Sequence, residues 1–442
     1  MKHTSIERSK DLRESLEQGW RPLDTQIRSW WDLDIASAAE ADIRATPQGS
    51  EPLLFLPFPY VRPGGAQGAF AAMYCWDTFF INEALLAHGR LDLVRNHILN
   101  YLFMIERFGY MPNSNDRATQ TRSQTPVLPI SIWKYYLATG DDDLLHRAYP
   151  LLKREYEDYW NAPHHRTPTG LATNRDVGDE YLTAELAAEA ETGLDWTPIF
   201  AGDVRRCVPL ITNCALVRYA RLIAMIGARL GRRGEAADFA RQADTRASLI
   251  RKYCWSEETG FFHEYDYQAQ RMLPYVSACA YWALWAGVAT EDQAKRLARN
   301  LPSLVQRYGL ASTDQEYADA RPDSSYAPDP ETSAEVPHHS GGGGNLQWMY
   351  PAGWAPEQII AVEGLDSYGY GDQAEQVARA FLTVLVEQYH ETGELWEKYN
   401  VLDGGLVVPN SRYGNLPMHG WSAAAAVILG RRLFTTGAND HP

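Results

Sequence analysis

The stretch Pro209–Leu230, PLITNCALVRYARLIAMIGARL, gives the clearest indication of the fold of this chain. Its apolar side chains, such as Ile211, Cys214 and Ala215, follow the i, i+3, i+4 spacing of a buried helix face. The segment that follows, Glu235–Tyr253, is more polar. Because an apolar helix suits an inner layer and an amphipathic helix an outer one, the two segments predict a helical hairpin with one inner and one outer member.

The same alternation recurs along the chain. Further helices are expected at Ile6–Leu16, Trp30–Ile43, Thr78–His88, Leu91–Phe108, Pro126–Ala138, Leu144–Trp160, Tyr275–Val288, Glu291–Leu301, Pro356–Leu365, Asp372–His390 and Gly420–Phe434. About six such pairs predict an all-α fold, an (α/α)6 barrel or toroid of six helical hairpins, with its site on long loops. No linker divides the chain, so residues 1–442 are expected to form a single domain, with the helices of residues 1–50 packed on it.

Composition excludes several classes of partner. The net charge is −15 and no basic stripe is present, which argues against nucleic acid and anionic membrane surfaces. The 5 cysteines have no metal-binding spacing, so neither a metal nor another cofactor is expected. No apolar leader lies in Met1–Gln18, and no apolar run reaches the roughly 18 residues of a membrane span. We therefore expect a cytoplasmic protein, a monomer or a small homo-oligomer.

The stretch Gln347–Pro356, QWMYPAGWAP, fits neither helix nor strand period. Its prolines and glycine predict a loop before the apolar segment that starts at Ile359. Aromatic faces stack on the apolar faces of sugars, and an amide both donates and accepts hydrogen bonds. Two interpretations remain open from this stretch alone: a sugar-binding loop, or a packing loop with buried tryptophans.

Two carboxylates have neighbours that suit glycoside hydrolysis, which needs one protonated and one ionised carboxyl group. Asp195 lies beside Trp196, and an apolar setting raises the pKa of a carboxyl group. Glu397 lies beside Lys398, and a nearby cation favours the charged form of a carboxyl group. Most of the 56 acidic residues are simply solvated, so the spacing of this pair alone is a weak indication.

A set of motifs in one order resembles the trehalase family. The stretch Gln347–Pro356 resembles the second trehalase signature at every fixed position except Met349, where the family has Asp. The first signature is matched by Pro63, Gly64, Gly65, Phe70, Tyr74, Trp76 and Asp77. Four shorter family elements are resembled by Met111–Asn115, Arg122–Pro126, Thr192–Trp196 and Leu395–Asn400. Together the matches extend from about Pro57 to Trp421 and are specific as a set.

This resemblance implies an (α/α)6 barrel and an inverting glycosidase that cleaves a small α-glucoside, most simply α,α-trehalose to two glucose molecules. It implies that Asp195 is the general acid and Glu397 the general base, with carboxyl groups about 6.5–9.5 Å apart to hold a water molecule. It also implies a sugar site formed by Phe70, Tyr74, Trp76, Asp77, Asn113, Arg122, Gln124, Arg175, Gly193 and Trp348.

The chain also departs from the family pattern. Ala69 and Ala72 replace an Arg and a Glu of the first signature, and Arg412 stands where the family has a carboxylate. The loop Asp314–Ser340 resembles an insertion and contains His338 and His339, a pair without a carboxylate at fixed spacing and hence a poor metal motif.

These departures leave alternatives open. The substrate could be another α-glucoside, such as a glucosylated acid or polyol, with Arg122, Arg175 and Arg412 receiving a carboxylate. A carbohydrate-binding protein without turnover is a second class of function. A sugar epimerase, using His263 and His419, is a third, and no motif supports it.

Overall fold

The computed structural model describes residues 2–40, 53–65, 68, 70–178, 182–317, 346–409, 411 and 413–435, and the side chains from residue 11 onward. The helices are α1 (Lys2–Leu33), α2 (Cys75–Ala87), α3 (Leu91–Phe108), α4 (Ile130–Thr139), α5 (Asp142–Arg154), α6 (Ala184–Ala190), α7 (Leu210–Arg229), α8 (Arg233–Cys254), α9 (Trp282–Trp285), α10 (Glu291–Asn300), α11 (Ala355–Ser367), α12 (Gly371–Thr392) and α13 (Gly420–Phe434).

Helices α2, α4, α7, α9, α11 and α13 form a closed inner ring, because each contacts the next and α13 contacts α2 again. Helices α3, α5, α8 and α12 each follow an inner helix and pack against it, while α1 packs on α12 and α13. This arrangement confirms the predicted all-α (α/α)6 barrel.

Burial explains which helices are inside. Helix α7 is buried on nearly every face, whereas α8 buries one stripe at Ala236, Phe239, Ala243, Ala247 and Ile250. Glycine allows close approach within the ring, because a Cβ at Gly364 of α11 would lie 2.9 Å from the backbone nitrogen of Trp285 in α9. The expected hairpin of Pro209–Leu230 with Glu235–Tyr253 is therefore present as α7 and α8.

Three predicted helices differ clearly from the structure. The segments Ile6–Leu16 and Trp30–Ile43 are expected as separate helices, but α1 runs unbroken to Leu33, and Ile35–Ala36 then form a short strand. Helix α1 continues because Trp20, Leu23, Ile27 and Trp30 maintain one buried stripe across the expected break. The expected helix Tyr275–Val288 is shorter: a 3₁₀ turn at Ala278–Tyr281 precedes α9, and Gly287 at φ +61° ends the segment.

Short antiparallel sheets of two or three strands connect the loops between the helices. They are β1 (Ile35–Ala36) with β2 (Tyr60–Val61); β3 (Cys207–Val208), β4 (Tyr265–Asp266) and β5 (Arg271–Met272); β6 (Val305–Gln306) with β7 (Gly309–Leu310); and β8 (Ala352–Trp354) with β9 (Lys398–Asn400). The β8–β9 register places Trp354 opposite Lys398 and Ala352 opposite Asn400. It therefore attaches the aromatic loop Gln347–Pro356 to the segment that contains Glu397.

One helix of the described residues, α7, is long and apolar enough to meet the composition test for a membrane span, with a mean hydropathy of 1.3. However, 78% of its most apolar window is buried inside the protein. This burial is expected of an inner barrel helix, and α7 contacts its two ring neighbours, α4 and α9.

Candidate active site

A cavity of about 140 Å³ lies at the end of the barrel where inner helices begin. Trp76 and Asp77 lie in the first turn of α2, Trp354 directly precedes α11, and Trp421 lies in the first turn of α13. The cavity is lined by Phe70, Tyr74, Trp76, Asp77, Asn113, Gln124, Ala190, Gly193, Asp195, Gln347, Trp348, Trp354, Glu397, Tyr413, Met418 and Trp421. The predicted site residues other than the two arginines thus come together in one place.

Asp195 is held by a tightly turned segment. Gly193 has φ +81°, and a Cβ on it would lie 3.0 Å from the Trp76 ring, so the chain needs glycine there. Trp196, directly after Asp195, also has positive φ, at +58°. The side-chain amide of Gln347 donates to Asp195 Oδ2 over 3.1 Å. The carboxyl group is therefore fixed from both the backbone and the aromatic loop.

The pKa of Asp195 is raised to about 7, first because the group is buried and then because the negative charges of Glu189 and Glu397 lie near. Lys398 acts in the opposite direction. Burial also raises the pKa of Asp77 to about 8, with Glu397 and Asp195 adding to the effect. Near neutral pH, the cavity thus contains carboxyl groups that retain a proton.

Glu397 has different partners. The Lys398 ammonium lies 2.7 Å from its Oε2, and the Tyr413 hydroxyl donates to its Oε1 over 2.6 Å. The Trp421 indole donates to the backbone carbonyl of Glu397 over 2.9 Å. A cation and a hydroxyl donor on a buried carboxylate form charge-assisted hydrogen bonds. The same contacts fix the direction in which the carboxylate points.

Four tryptophans pack around these groups. The rings of Trp348 and Trp354 stack at 4.0 Å, and Trp76 lies 5.7 Å from Trp348. Trp421 lies edge-on to Trp354 at 5.9 Å, and Lys398 Nζ lies 5.0 Å from the Trp354 ring centre. The tryptophans of the aromatic loop are buried, as in the packing interpretation, and they also line the cavity.

Two buried polar atoms of the cavity lining have no partner among the described residues. They are Oε1 of Gln347 and Nε1 of Trp348. A buried polar atom without a hydrogen bond costs free energy, which a hydroxyl group of a ligand or a water molecule would offset. Both atoms belong to residues that line the cavity.

The predicted arginines lie elsewhere. Arg122 is buried, its Nη1 pairs with Asp176 Oδ2 at 3.0 Å, and it is not among the residues that line the cavity. Arg175 Nη2 donates to the Tyr267 hydroxyl over 3.1 Å and also does not line the cavity. The expectation that they line the sugar cavity is not met. Arg412 lies outside the described residues.

Met349 and Ala72, the two departures from the family pattern that fall within the described residues, do not line the cavity. Met349 is buried, and its Sδ accepts from the backbone N–H of Tyr317 at 3.1 Å. Ala72 is buried outside the lining, while Ala69, His338 and His339 lie outside the described residues. Among the described residues, no His, Cys, Asp and Glu cluster could hold a metal ion.

The histidines considered for an epimerase do not line the cavity. His263 contacts Thr259 Oγ1 at 2.7 Å and the Tyr275 carbonyl at 2.9 Å. His419 lies between Asp34 and Glu394. Neither is placed to move a proton on a ligand in the cavity, so the structure gives this alternative no support.

Several lining residues were not among the candidates from sequence. They are Ala190, Gln347, Trp354, Tyr413, Met418 and Trp421. Gln347 and Trp354 belong to the quoted aromatic loop, so the signal was present there. Tyr413 follows the departure at Arg412, and nothing in its spacing shows that its hydroxyl reaches Glu397.

Comparison with known proteins gives a consistent result. The sequence model of the family described as Trehalase matches residues 3–192 and 187–429. The chain is 29% identical over 408 residues to a probable trehalase of Eremothecium gossypii, covering 78% of this chain and 52% of that protein. It is 28% identical to the cytosolic neutral trehalase of Kluyveromyces lactis (78% and 51% covered) and 27% identical to a periplasmic trehalase of Pseudomonas aeruginosa (87% and 73%). The chain spans about half the length of the first two relatives.

Solved structures agree on the fold. Neutral trehalase Nth1 from Saccharomyces cerevisiae superposes with a TM-score of 0.69 at 26% identity, over 86% of this chain and 74% of that one. A GH63 mannosylglycerate hydrolase from Thermus thermophilus superposes with a TM-score of 0.62 at 17% identity, over 92% and 99%, and shares the fold alone. With the family match across most of its length, the chain belongs to the trehalase family.

Proposed function

We propose that this chain is an inverting glycosidase that hydrolyses α,α-trehalose to two glucose molecules. The observation that carries the proposal is the pair of buried carboxyl groups, Asp195 and Glu397, on one small cavity with contrasting partners. A raised pKa suits a general acid, and a carboxylate held by a cation and a hydroxyl suits a general base.

The two carboxyls divide the chemistry. Neutral Asp195 gives its proton to the glycosidic oxygen as the bond from that oxygen to the anomeric carbon breaks. Glu397 takes a proton from a water molecule as the water oxygen bonds to the anomeric carbon on the opposite face. The leaving glucose departs as a neutral alcohol. Asp195 then regains a proton from solvent and Glu397 releases one, which restores both groups.

Other residues of the cavity suit the binding of one glucose unit. Trp76 and Trp348 offer apolar faces, and Gly193 gives the chain room beside the Trp76 ring. Asn113 and Gln124 provide amides for hydroxyl groups. Asp77, with a pKa raised to about 8, retains a proton at neutral pH and so donates a hydrogen bond as well as accepting one. Phe70 and Tyr74 line the same cavity with rings 5.9 Å apart.

The leaving group is proposed to be uncharged. No Arg or Lys is among the described residues that line the cavity. The guanidinium of Arg122 is paired with Asp176, and that of Arg175 contacts Tyr267. Among the described residues, a carboxylate on the leaving group would find no cation on the cavity lining, which favours trehalose, or a glucosylated polyol as the second candidate, over a glucosylated acid.

The central test measures the anomers of the product. Hydrolysis of α,α-trehalose by inversion gives one β-glucose and one α-glucose, which proton NMR distinguishes before mutarotation. A product that starts as pure α-glucose would contradict inversion. A panel with trehalose, α-glucosyl glycerol and α-glucosyl glycerate ranks the leaving groups by kcat/KM, and the highest value for the glycerate compound would refute the uncharged leaving group.

Two variants test the roles of the carboxyls. Asp195→Asn and Glu397→Gln are each expected to lower kcat by about 10²–10⁴-fold, the usual contribution of general acid–base catalysis. Glu185→Gln, whose side chain pairs with Arg205 outside the cavity, is the matched control and should retain the full rate. Full activity of either cavity variant would remove that residue from its role. Trehalose binding without turnover in the wild type would instead favour a carbohydrate-binding protein.

We also propose a cellular location and an oligomeric state. The cysteines are all buried free thiols, which suits a reducing compartment, and we propose a cytoplasmic location for a single catalytic domain that is a monomer or a small homo-oligomer. The related trehalases include cytosolic and periplasmic proteins. Fractionation of the native host with an antibody, followed by gel filtration of the cytosol, tests both points.

A further inference from the structure

Glu189 lies near the end of α6 and shortly precedes the segment that carries Asp195. Its side chain is fully buried, and it is not one of the residues that line the cavity. Its Oε1 accepts from the backbone N–H of Thr197 over 2.9 Å, and its own carbonyl accepts from the Thr192 hydroxyl over 2.6 Å. Glu189 thus contacts the segment on both sides of Asp195.

The backbone bond to Thr197 fixes a costly turn. Trp196, between Asp195 and Thr197, has φ +58°, a conformation that is strained for a residue other than glycine. Such a turn persists only where surrounding contacts hold it. Besides the Glu189 bond, the Thr197 hydroxyl donates to the Trp348 carbonyl over 3.4 Å. Glu189 therefore belongs to the contacts that keep Asp195 facing the cavity.

The charge of Glu189 acts on Asp195 as well. The titratable groups around Asp195 are Glu189 from α6, Glu397 and Lys398 from the β9 segment, Asp77 and Tyr74 at the start of α2, and Tyr413. After burial, the charges of Glu189 and Glu397 raise the pKa of Asp195, and Lys398 lowers it. Of the two carboxylates, Glu189 has the larger effect, although Glu397 is the one that lines the cavity.

We propose that Glu189 is a positioning residue of the reaction, which aims Asp195 at the cavity through its bond to Thr197 and places a buried carboxylate near it. This inference rests on the proposed function, in which Asp195 is the general acid. Glu189 contacts neither the cavity nor the reacting atoms, so it acts only through Asp195. Its two effects, charge and geometry, are separable by substitution.

The decisive variant is Glu189→Gln, which keeps an oxygen acceptor for Thr197 and removes the charge. The maximal kcat with trehalose, reached where Asp195 is protonated and Glu397 is ionised, is expected to change by no more than about twofold, because both groups are then in the forms that catalysis needs. The alkaline limb is expected to move to lower pH by about one unit, which makes kcat at pH 8 about tenfold lower than in the wild type. A merely structural role would lower the rate at every pH and leave the limb in place.

Two further variants complete the test. Glu189→Asp keeps the charge, so its alkaline limb should stay at the wild-type pH even where kcat is lower, and a limb moved by a full unit would overturn the inference. Glu185→Gln, a change at a partly exposed position of the same helix, should leave the whole profile unchanged, because its partner is Arg205. If circular dichroism shows that Glu189→Gln does not fold, the pH profile of Glu189→Asp still tests the inference.

Asp195→Asn separates this inference from the proposed function. If Asp195→Asn is inactive and the profile of Glu189→Gln superimposes on that of the wild type, Asp195 remains the acid and the role of Glu189 is refuted. If Asp195→Asn retains the wild-type rate, the proposed function itself fails. A shifted limb in Glu189→Gln, together with loss of activity in Asp195→Asn, supports both.

Discussion

Replacement of His419 by Gln is expected to remove a large, pH-dependent part of the stability of the barrel. The His419 ring lies between two carboxylates, with Nδ1 2.7 Å from Asp34 Oδ2 and Nε2 3.0 Å from Glu394 Oε2. It also stacks on Trp30 at 3.9 Å. Asp34 directly follows α1, and Glu394 precedes Glu397 in the chain. The imidazole thus connects the N-terminal helix to the segment of the proposed base.

The size of the expected stability loss follows from the pKa of the His419 ring. Burial alone would lower the pKa of His419, but the hydrogen bonds and charges of Asp34 and Glu394 outweigh burial and raise it from 6.5 to about 9. This rise in pKa corresponds to about 3.4 kcal/mol, because each pKa unit is worth about 1.36 kcal/mol. Glu394 is 45% exposed, so solvent screens its share, and we expect about 2–3 kcal/mol.

The sign of the pH effect is fixed by the direction of this shift. The folded state binds the proton more tightly than the unfolded chain, so the contribution is fully present below about pH 6.5. It declines as the pH rises from 6.5 to 9 and is lost above that range, when the folded-state ring also loses its proton. His419→Gln removes this contribution, since the amide does not titrate.

Urea unfolding of wild type and variant measures the effect. At pH 6 the wild type should exceed His419→Gln in free energy of unfolding by about 2–3 kcal/mol more than it does at pH 9.5. Other titrating groups, such as buried Asp77, contribute equally to both proteins and cancel in the difference. A difference between the two proteins that stays constant from pH 6 to pH 9.5 would refute the charged bridge between Asp34 and Glu394.

Three other substitutions have definite expected results. Tyr413→Phe removes the hydroxyl donor of Glu397 and should lower kcat about 10- to 100-fold with an unchanged melting temperature, whereas an unchanged kcat would contradict that role. Gly193→Ala adds a Cβ 3.0 Å from the Trp76 ring at φ +81°, and should cost about 1–2 kcal/mol in unfolding free energy, measured by urea titration, and at least about tenfold in kcat/KM. Met349→Leu should change kcat/KM by less than about twofold and stability by less than about 1.5 kcal/mol, because Met349 does not line the cavity. A tenfold loss of kcat/KM would place Met349 in the binding of substrate.

The barrel could be predicted from sequence because inner and outer helices differ in a local property. Helix α7 is buried on nearly every face and α8 on one face, and the difference in their content of apolar residues is visible in consecutive residues. The inner segment around α9 was predicted too long, because Ser277 is extended and a 3₁₀ turn at Ala278–Tyr281 precedes the helix, although apolar residues continue through the whole segment. The spacing of apolar residues indicates which positions are buried, but burial alone does not determine where a short inner helix begins or ends.

Site residues could be predicted where the backbone of a matched motif itself forms the cavity wall. They could not be predicted where the position of a long side chain depends on its ion-pair partner. Trp76, Gly193 and Trp348 line the cavity because their backbone segments form its wall. Arg122 shares the backbone of that region, since its carbonyl accepts from the Asn113 N–H over 2.8 Å, yet its guanidinium pairs with Asp176. The identity of that partner depends on how two loops distant in sequence meet.

The aromatic loop contributes more than an apolar wall for a sugar. Its Gln347 bonds to Asp195, and its Trp354 pairs in register with Lys398, the cation that bonds to Glu397. Both proposed catalytic carboxyls therefore depend on one stretch of chain for their orientation. Since transition-state stabilisation is sensitive to displacements of about 1 Å, a change in this loop should lower kcat through both groups at once. Substitutions at Gln347 and at Trp354 are then expected to be less than additive in kcat, the result for residues that act as one unit.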